Sequence, residues 1–232
     1  MKLNNFPIFE ITLPISKEIV KFRPFVMKEE KILLMASESA TTEDILNAIN
    51  AVVYNCSFEK VNCDTHAMVD VQYLYLNIRG KSVGEEMEFG LLCGQCQTSK
   101  NAKVNINDVH VQENEKHTKI VKITDDVIVT MRYPKLKHLE LLSKEDSEID
   151  DIYSVIADCI EKIQTQDELY ITDDMEKTEV DEFIDSLTGP QFATLKYFFD
   201  TMPVISHTID FVCEKCSTEN KIRLDDIVNF FV

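Results

Sequence analysis

The sequence predicts an α+β fold, mostly helical, with an N-terminal β-hairpin and two CxxC knuckle hairpins that form a zinc-ribbon-like element. Three observations carry this expectation. Apolar residues recur at helical spacing over several long stretches, β-rich runs bounded by turn residues precede them, and four of the seven cysteines fall in two CxxC pairs. The 232 residues are 44% apolar and include 13 phenylalanines, enough to fill a sizeable core, which excludes disorder and collagen-like structure.

Phe6 to Leu13 and Ile19 to Phe25 are β-rich runs joined by Pro14-Ile15-Ser16-Lys17-Glu18, an antiparallel hairpin whose second strand Pro24 ends. From Lys28 to Glu38, Ile32, Met35 and Ala36 recur at helical spacing, with Glu29 and Glu30 near the positive N-terminal end. A second helix, from about Thr42 to Tyr54, buries Ile45, Ala48, Ile49, Val52 and Val53 behind a Thr41 or Thr42 cap. Val69 to Ser82 is a third helix, apolar at 71, 74, 75 and 78 and stopped near Gly84; Met87 to Leu92 is a strand entering Cys93.

Lys119 to Ile123 and Val127 to Arg132 flank Thr124-Asp125-Asp126 and pair as a hairpin. Ile149 to Ile163 places Ile149, Ile152, Ile156, Cys159, Ile160 and Ile163 on one helical face, with Cys159 in the core. Thr188-Gly189-Pro190 opens the last long helix, whose apolar set is Phe192, Leu195, Phe198, Phe199 and Met202 before Pro203 stops it. A short capped helix from Asp225 ends the chain on Phe230-Phe231-Val232, an unusually apolar terminus.

The formal charge is −17, and residues 145–185 hold sixteen acids against Lys162 and Lys177, a balance of −14 in that segment alone. Nucleic acid and anionic membrane are poor partners for such a chain, because both are bound through lysines and arginines. The acidic segment is a solvated helical face or a docking surface for a basic partner. The five glycines form neither GxGxxG nor GxxxxGK[ST], and no HExxH, GxSxG or EF-hand loop occurs, so no enzyme class is indicated. No apolar run approaches the length of a membrane span and the first residues lack a signal-peptide core, which predicts a soluble protein made in a cytosol.

Cysteines in such a compartment are expected as thiols, so their spacing points to metal or redox chemistry. Cys93-Gly94-Gln95-Cys96 and Cys213-Glu214-Lys215-Cys216 are separated by 116 residues, too far for a contiguous finger. Their flanks match: an apolar approach, the CxxC turn, a polar turn, a strand, and an Asp-aliphatic pair. Two such knuckles face to face supply four thiolates, the ligand set of a closed tetrahedral zinc site with no open coordination position. Cys93, Cys96, Cys213 and Cys216 are the candidate metal ligands, zinc the expected ion and iron the alternative. Lys100, Lys103, Lys215, Lys221 and Arg223 are placed to offset the site's charge. A thioredoxin-like redox pair is the rival reading, but that chemistry needs a helix N-terminus after the first cysteine, and strand-like residues follow here. Cys56, Cys63, Asp64 and His66 have no standard ligand spacing and read as helix-end packing; His110, His117, His138 and His207 read as surface or strand-end residues.

Three strings, Lys21-Phe22-Arg23-Pro24-Phe25, Lys28-Glu29-Glu30-Lys31-Ile32-Leu33-Leu34-Met35-Ala36, and the run from Tyr73-Leu74-Tyr75 to Arg79-Gly80-Lys81-Ser82-Val83-Gly84-Glu85, resemble the baseplate hub subunit family of contractile-tailed, T-even-like bacteriophages. The resemblance is densest over residues 8–96. It implies a viral tail protein that takes part in building the central hub, in the host cytoplasm during assembly and then in the virion, with other hub proteins and the tape measure protein as partners. It implies no catalytic residues, and it leaves open a transient hub or tape-measure chaperone absent from the finished particle. Four regions are expected, at 1–92, 93–144, 145–204 (acidic and helical) and 205–232, closed into one compact unit by the shared metal.

Overall fold

The computed structural model describes residues 6–39, 41–142 and 149–224. They group into two compact units, one made of residues 1–112 and 204–232 and the other of residues 113–203.

The first unit opens with β1 (Phe9–Thr12) and β2 (Ile19–Phe22), paired antiparallel with Thr12 opposite Ile19. Three helices follow: α1 (Met27–Ser39), α2 (Thr42–Cys56) and α3 (Met68–Ser82). Thr41 caps α2 by accepting from the Asp44 N–H, and Ile45, Ala48, Ile49, Val52, Val53 and Cys56 are buried along its inner face, as helical spacing requires. Val71, Leu74, Tyr75 and Ile78 of α3 are buried, and Gly84 makes the exit turn at φ +129°, a conformation that favours glycine. The strands β3 (Glu86–Leu92) and β4 (Ser99–Asn105) form an antiparallel hairpin around the first CxxC, followed by a 3₁₀ turn and β5 (His110–Gln112).

Glu29, expected near the positive N-terminal end of α1, is also buried. Its carboxylate is 1% exposed, accepting from Arg23 Nη2 at 3.0 Å and the Val26 N–H at 3.0 Å. The pair staples the exit of β2 to the first turn of α1.

The second unit is built on the four-stranded antiparallel sheet β6 (Ile120–Lys122), β7 (Ile128–Met131), β8 (Ile160–Gln164) and β9 (Leu169–Ile171), in that spatial order. The helices are α4 (Leu136–Leu142), α5 (Ile149–Asp158), α6 (Lys177–Asp185) and α7 (Gly189–Thr201). Thr188 and Gln191 form a capping box at α7, with Pro190 in its first turn. Val129, Met131, Ile156, Cys159, Ile160, Ile163, Leu195 and Phe198 form the centre of this unit's core.

The chain then returns to the first unit as β10 (Val204–Val212), which pairs with β5 on one side and with β11 (Glu219–Leu224) on the other. Val69, Leu76, Met87, Leu91, Val104, Ile205, Ile209 and Leu224 pack beneath the two CxxC hairpins.

A mostly helical chain is not what forms: among the described residues 41% are helix and 26% strand, in four sheets. The main departure is the stripe from Ile149 to Ile163. The helix stops at Asp158, and Ile160 to Gln164 become a central strand whose Ile163 faces Val129 across the ladder. Ile160 and Ile163 are three residues apart, a spacing that fits a helix; in the strand a bulge at Glu161, opposite Thr130 and Met131, turns both into the core. The acidic segment is therefore not all helix over its described part, since β8 and β9 divide α5 from α6. The C-terminal helix expected from Asp225 and residues 145–148 of the acidic run lie outside the described residues.

Candidate metal centre

The site is assembled from two copies of one turn. In the β3–β4 hairpin the Cys93 N–H donates to Thr98 O at 3.0 Å and the Gln97 N–H to Cys93 O at 2.9 Å, with Gln97 at φ 54°. In the β10–β11 hairpin the Cys213 N–H donates to Thr218 O at 2.9 Å and the Ser217 N–H to Cys213 O at 2.9 Å, with Ser217 at φ 57°. Leu92 opposite Ser99 and Val212 opposite Glu219 close the flanking ladders in the same register. Each turn presents two sulfurs on one side, and the core beneath holds the hairpins face to face.

All four thiol sulfurs lie within 4.8 Å of one another. Cys93 Sγ is 3.6 Å from Cys216 Sγ, and Cys96 Sγ is 3.6 Å from Cys213 Sγ. A tetrahedron with metal–sulfur bonds of about 2.3 Å has edges of about 3.8 Å, so the spacing fits four thiolates around one ion. It is far wider than the sulfur–sulfur bond of about 2.05 Å in a disulfide. The four cysteines named from sequence are therefore brought together as a group that could hold a metal ion, and among the described residues no other group of three or more His, Cys, Asp or Glu side chains does so.

The surroundings favour thiolates. The backbone N–H groups of Cys96 and Gln95 bring the Cys93 thiol down to about 6 despite its burial, and the Thr98 hydroxyl and N–H hold Cys96 below its ordinary value. The N–H groups of Cys216 and Lys215 act on Cys213 in the same sense, but burial and the neighbouring Cys216 and Cys96 thiols outweigh them and push it up to about 11. Four sulfurs this close cannot all ionise without a cation among them; a divalent ion removes that conflict.

Thr98, Thr218 and Asn220 belong to the site without having been singled out from sequence. Thr98 Oγ1 is 3.2 Å from Cys96 Sγ, and Thr218 Oγ1 is 3.2 Å from Cys216 Sγ. Asn220 spans the two knuckles: its Oδ1 accepts from the Gly94 N–H at 2.9 Å while its Nδ2 approaches Cys93 Sγ at 3.6 Å. The signal for the threonines was present, because both halves read Cys-x-Thr after the second ligand. Two of the lysines expected to offset the site's charge pair with acids instead. Lys100 pairs with Glu214 at 3.6 Å, and Lys103 lies between Glu86 and Glu88.

The same turn occurs a third time without cysteines. In the β1–β2 hairpin the Leu13 N–H donates to Glu18 O at 2.9 Å and the Lys17 N–H to Leu13 O at 3.2 Å, with Lys17 at φ 60°. The turn amides that face sulfur in the knuckles here donate to a carboxylate from α3: Ile15 N–H to Asp70 Oδ1 at 2.6 Å and Ser16 N–H to Asp70 Oδ2 at 2.9 Å. A buried acceptor, sulfur or carboxylate, satisfies the turn amides in each case, and only the two cysteine turns can carry metal.

Cys56 and Cys63 are buried thiols pushed up to about 12 by desolvation, and His66 Nδ1 lies within hydrogen-bonding distance of the Asn62 N–H, consistent with packing at a helix end. His138 departs from the expected surface position. It is 2% exposed in α4, with Nδ1 accepting the Lys135 N–H at 3.1 Å and Nε2 at 3.2 Å from Asp158 Oδ2. Cys159 lies 3.9 Å from the same Nδ1, but that nitrogen's lone pair is already taken and burial raises the thiol to about 12, so the trio is structural. No described helix is long and apolar enough to cross a membrane.

No curated protein and no solved structure matches the chain. A family model described as T4 bacteriophage base plate protein matches residues 6–232, a span that includes both hairpins, all four clustered cysteines and both compact units. The chain belongs to the T4 bacteriophage base plate protein family.

Proposed function

We propose that the protein is a non-enzymatic tail component that takes part in assembling the baseplate hub, and that Cys93, Cys96, Cys213 and Cys216 hold one structural zinc ion. The observation that carries the tail assignment is the family match over residues 6–232. The metal reading rests on four sulfurs at tetrahedral spacing; iron would use the same ligands. Bound zinc would clamp the returning hairpin to the middle of the chain, fixing a surface for other hub proteins and the tape measure protein. Four thiolates fill its coordination, so the chemistry it supplies is architectural.

Nucleic acid and membrane are excluded from the proposed partners by the charge of −17. A transient hub or tape-measure chaperone, active in the host cytoplasm and absent from the virion, is the alternative supported by the acidic segment. A thiol redox protein is the reading from another class. Against it stand two features: no helix starts at either CxxC, and Cys93, the thiol brought down to about 6, is fully buried.

Quantitative mass spectrometry of mature particles and partly assembled hubs, normalised to a known tail component, tests the assignment. A fixed integer ratio in both identifies a hub subunit, and enrichment in precursors with absence from particles identifies a chaperone. Absence from both contradicts the hub reading.

A further inference from the structure

The sheet of the second unit ends in two strands that no described strand covers, β6 at one edge and β9 at the other. Both edges carry apolar side chains into solvent: Ile120 is 61% exposed, Leu169 58%, Tyr170 39% and Ile171 42%. An uncovered apolar edge is a template for pairing with another chain unless it is blocked.

The two edges differ in charge: lysines alternate with the acids Glu115, Asp125 and Asp126 around β6, whereas β9 is flanked by acids alone. Around β6 lie the exposed lysines 116, 119 and 122, of which Lys122 also reaches Asp125 at 2.7 Å and Lys119 sits over the Tyr133 ring. Around β9 lie Asp167, Glu168, Asp173 and Asp174, of which Asp173 pairs with Arg132 at 2.7 Å and Glu168 accepts from the Tyr170 hydroxyl. Beside β6 a groove of about 420 Å³ runs along α7, with Ile120, Ala193 and Tyr197 in its wall and Lys116 and Lys122 at its rim.

Backbone alternation matches as well. The Met131 N–H bond to Lys119 O and the Ile123 N–H bond to Val127 O turn residues 119, 121 and 123 towards β7, leaving Ile120 and Lys122 outward. The Thr165 N–H bond to Glu168 O likewise turns Tyr170 towards β8, leaving Leu169 and Ile171 outward. In the existing rows of the sheet, Ile120, Thr130, Lys162 and Ile171 lie in one line and Lys122, Ile128, Gln164 and Leu169 in the next.

We infer that β9 of one copy of this protein pairs antiparallel with β6 of a second copy, extending the four-stranded sheet head to tail. Continuing the rows sets Ile171 opposite Ile120 and Leu169 opposite Lys122, and brings the acids that flank β9 alongside the lysines of β6. The Ile120 N–H, which donates to Thr118 Oγ1 at 3.1 Å, exchanges that bond for one across the interface. Pairing β9 with β9 about a two-fold at Tyr170 would instead set Asp167 against Asp173, like charges directly opposite. A β9–β6 contact is heterologous, and a pair of copies keeps one free β6 edge and one free β9 edge, so assembly continues past two copies until a ring closes.

Sedimentation velocity of the full metal-loaded chain, with circular dichroism to verify folding, tests this. The wild type should grow past two copies with concentration at low salt and fall towards monomer at high salt. A β9 variant (Leu169→Lys with Ile171→Lys) and a β6 variant (Ile120→Glu with Lys122→Glu), all at exposed positions, should each be monomeric. Mixed together they retain one intact pair of edges and should give a one-to-one complex and nothing larger. A wild type that stays monomeric at every concentration and salt overturns the inference, as does a β6 variant that associates like the wild type.

Discussion

Asn220 is the residue on which the geometry of the metal centre turns, since one side chain binds the Gly94 N–H of the opposite knuckle and approaches Cys93. Groups of this kind around a metal typically govern 10- to 100-fold in affinity. Asn220→Ala should therefore weaken metal binding by about that factor in competition with a chromophoric chelator, while the four ligands remain; unchanged affinity would assign Asn220 to turn packing alone. Glu29 offers a second test. Burial by itself would raise its carboxyl, but the Arg23 guanidinium and the Val26 N–H outweigh it and hold it below the ordinary 4.5. A depressed carboxyl contributes stability that is complete above the unfolded value and lost as pH falls through the folded one. Stability from this pair should accordingly decline below about pH 4.5, the ordinary value. At neutral pH, Glu29→Gln should cost about 3 kcal/mol in urea unfolding, because it leaves Arg23 without its counter-charge. A loss under about 0.5 kcal/mol, the range of an ordinary surface change, would show that water serves Arg23 equally well.

At the scale of elements, one five-residue turn recurs three times with different acceptors at its centre. Asp70 plays in the β1–β2 hairpin the part that the first sulfur plays in each knuckle, accepting two turn amides while fully buried. Asp70→Ala strands both amides, at about 1–3 kcal/mol each, and should loosen the hairpin ahead of the rest of the first unit; hydrogen exchange at Ile15 and Ser16 would report it. Unaltered protection at those two amides would contradict this role. Much at this scale was legible in the sequence. α2 was readable because its apolar positions keep a strict helical period behind a threonine cap, and α3 because a glycine ends it. The hairpin strands flanking each CxxC were readable from their apolar approaches. The segment 149–163 was misread because Ile160 and Ile163 satisfy helical spacing, and the extra residue Glu161 that brings both to one face of the strand leaves no periodic signal. The burial of Glu29 left no signal in the sequence, because its partner Arg23 precedes the helix and is placed by the hairpin.

At the scale of the whole molecule, the chain leaves its first unit at residue 112, builds a second unit of 91 residues, and returns at residue 204. β10 then pairs with β5, which lies directly before the departure point. The two CxxC pairs are distant in sequence because a folded unit is inserted between them. This explains how 116 intervening residues are compatible with sulfurs 3.6 Å apart. The repeated flanks made the joint site legible, whereas β5 and the division into units were not, because neither leaves a periodic or spacing signal. Closing the returning hairpin onto the middle of the chain is the structural task of the proposed zinc, and sites of this kind contribute on the order of 10 kcal/mol to folding. The measurement that tests this most directly is metal stoichiometry by inductively coupled plasma mass spectrometry on protein purified without chelator, beside the Cys93→Ser/Cys213→Ser variant. One zinc per chain in the wild type, and none in the variant, is the predicted result; wild-type protein without stoichiometric metal, whose four clustered thiols all alkylate quickly, would contradict it.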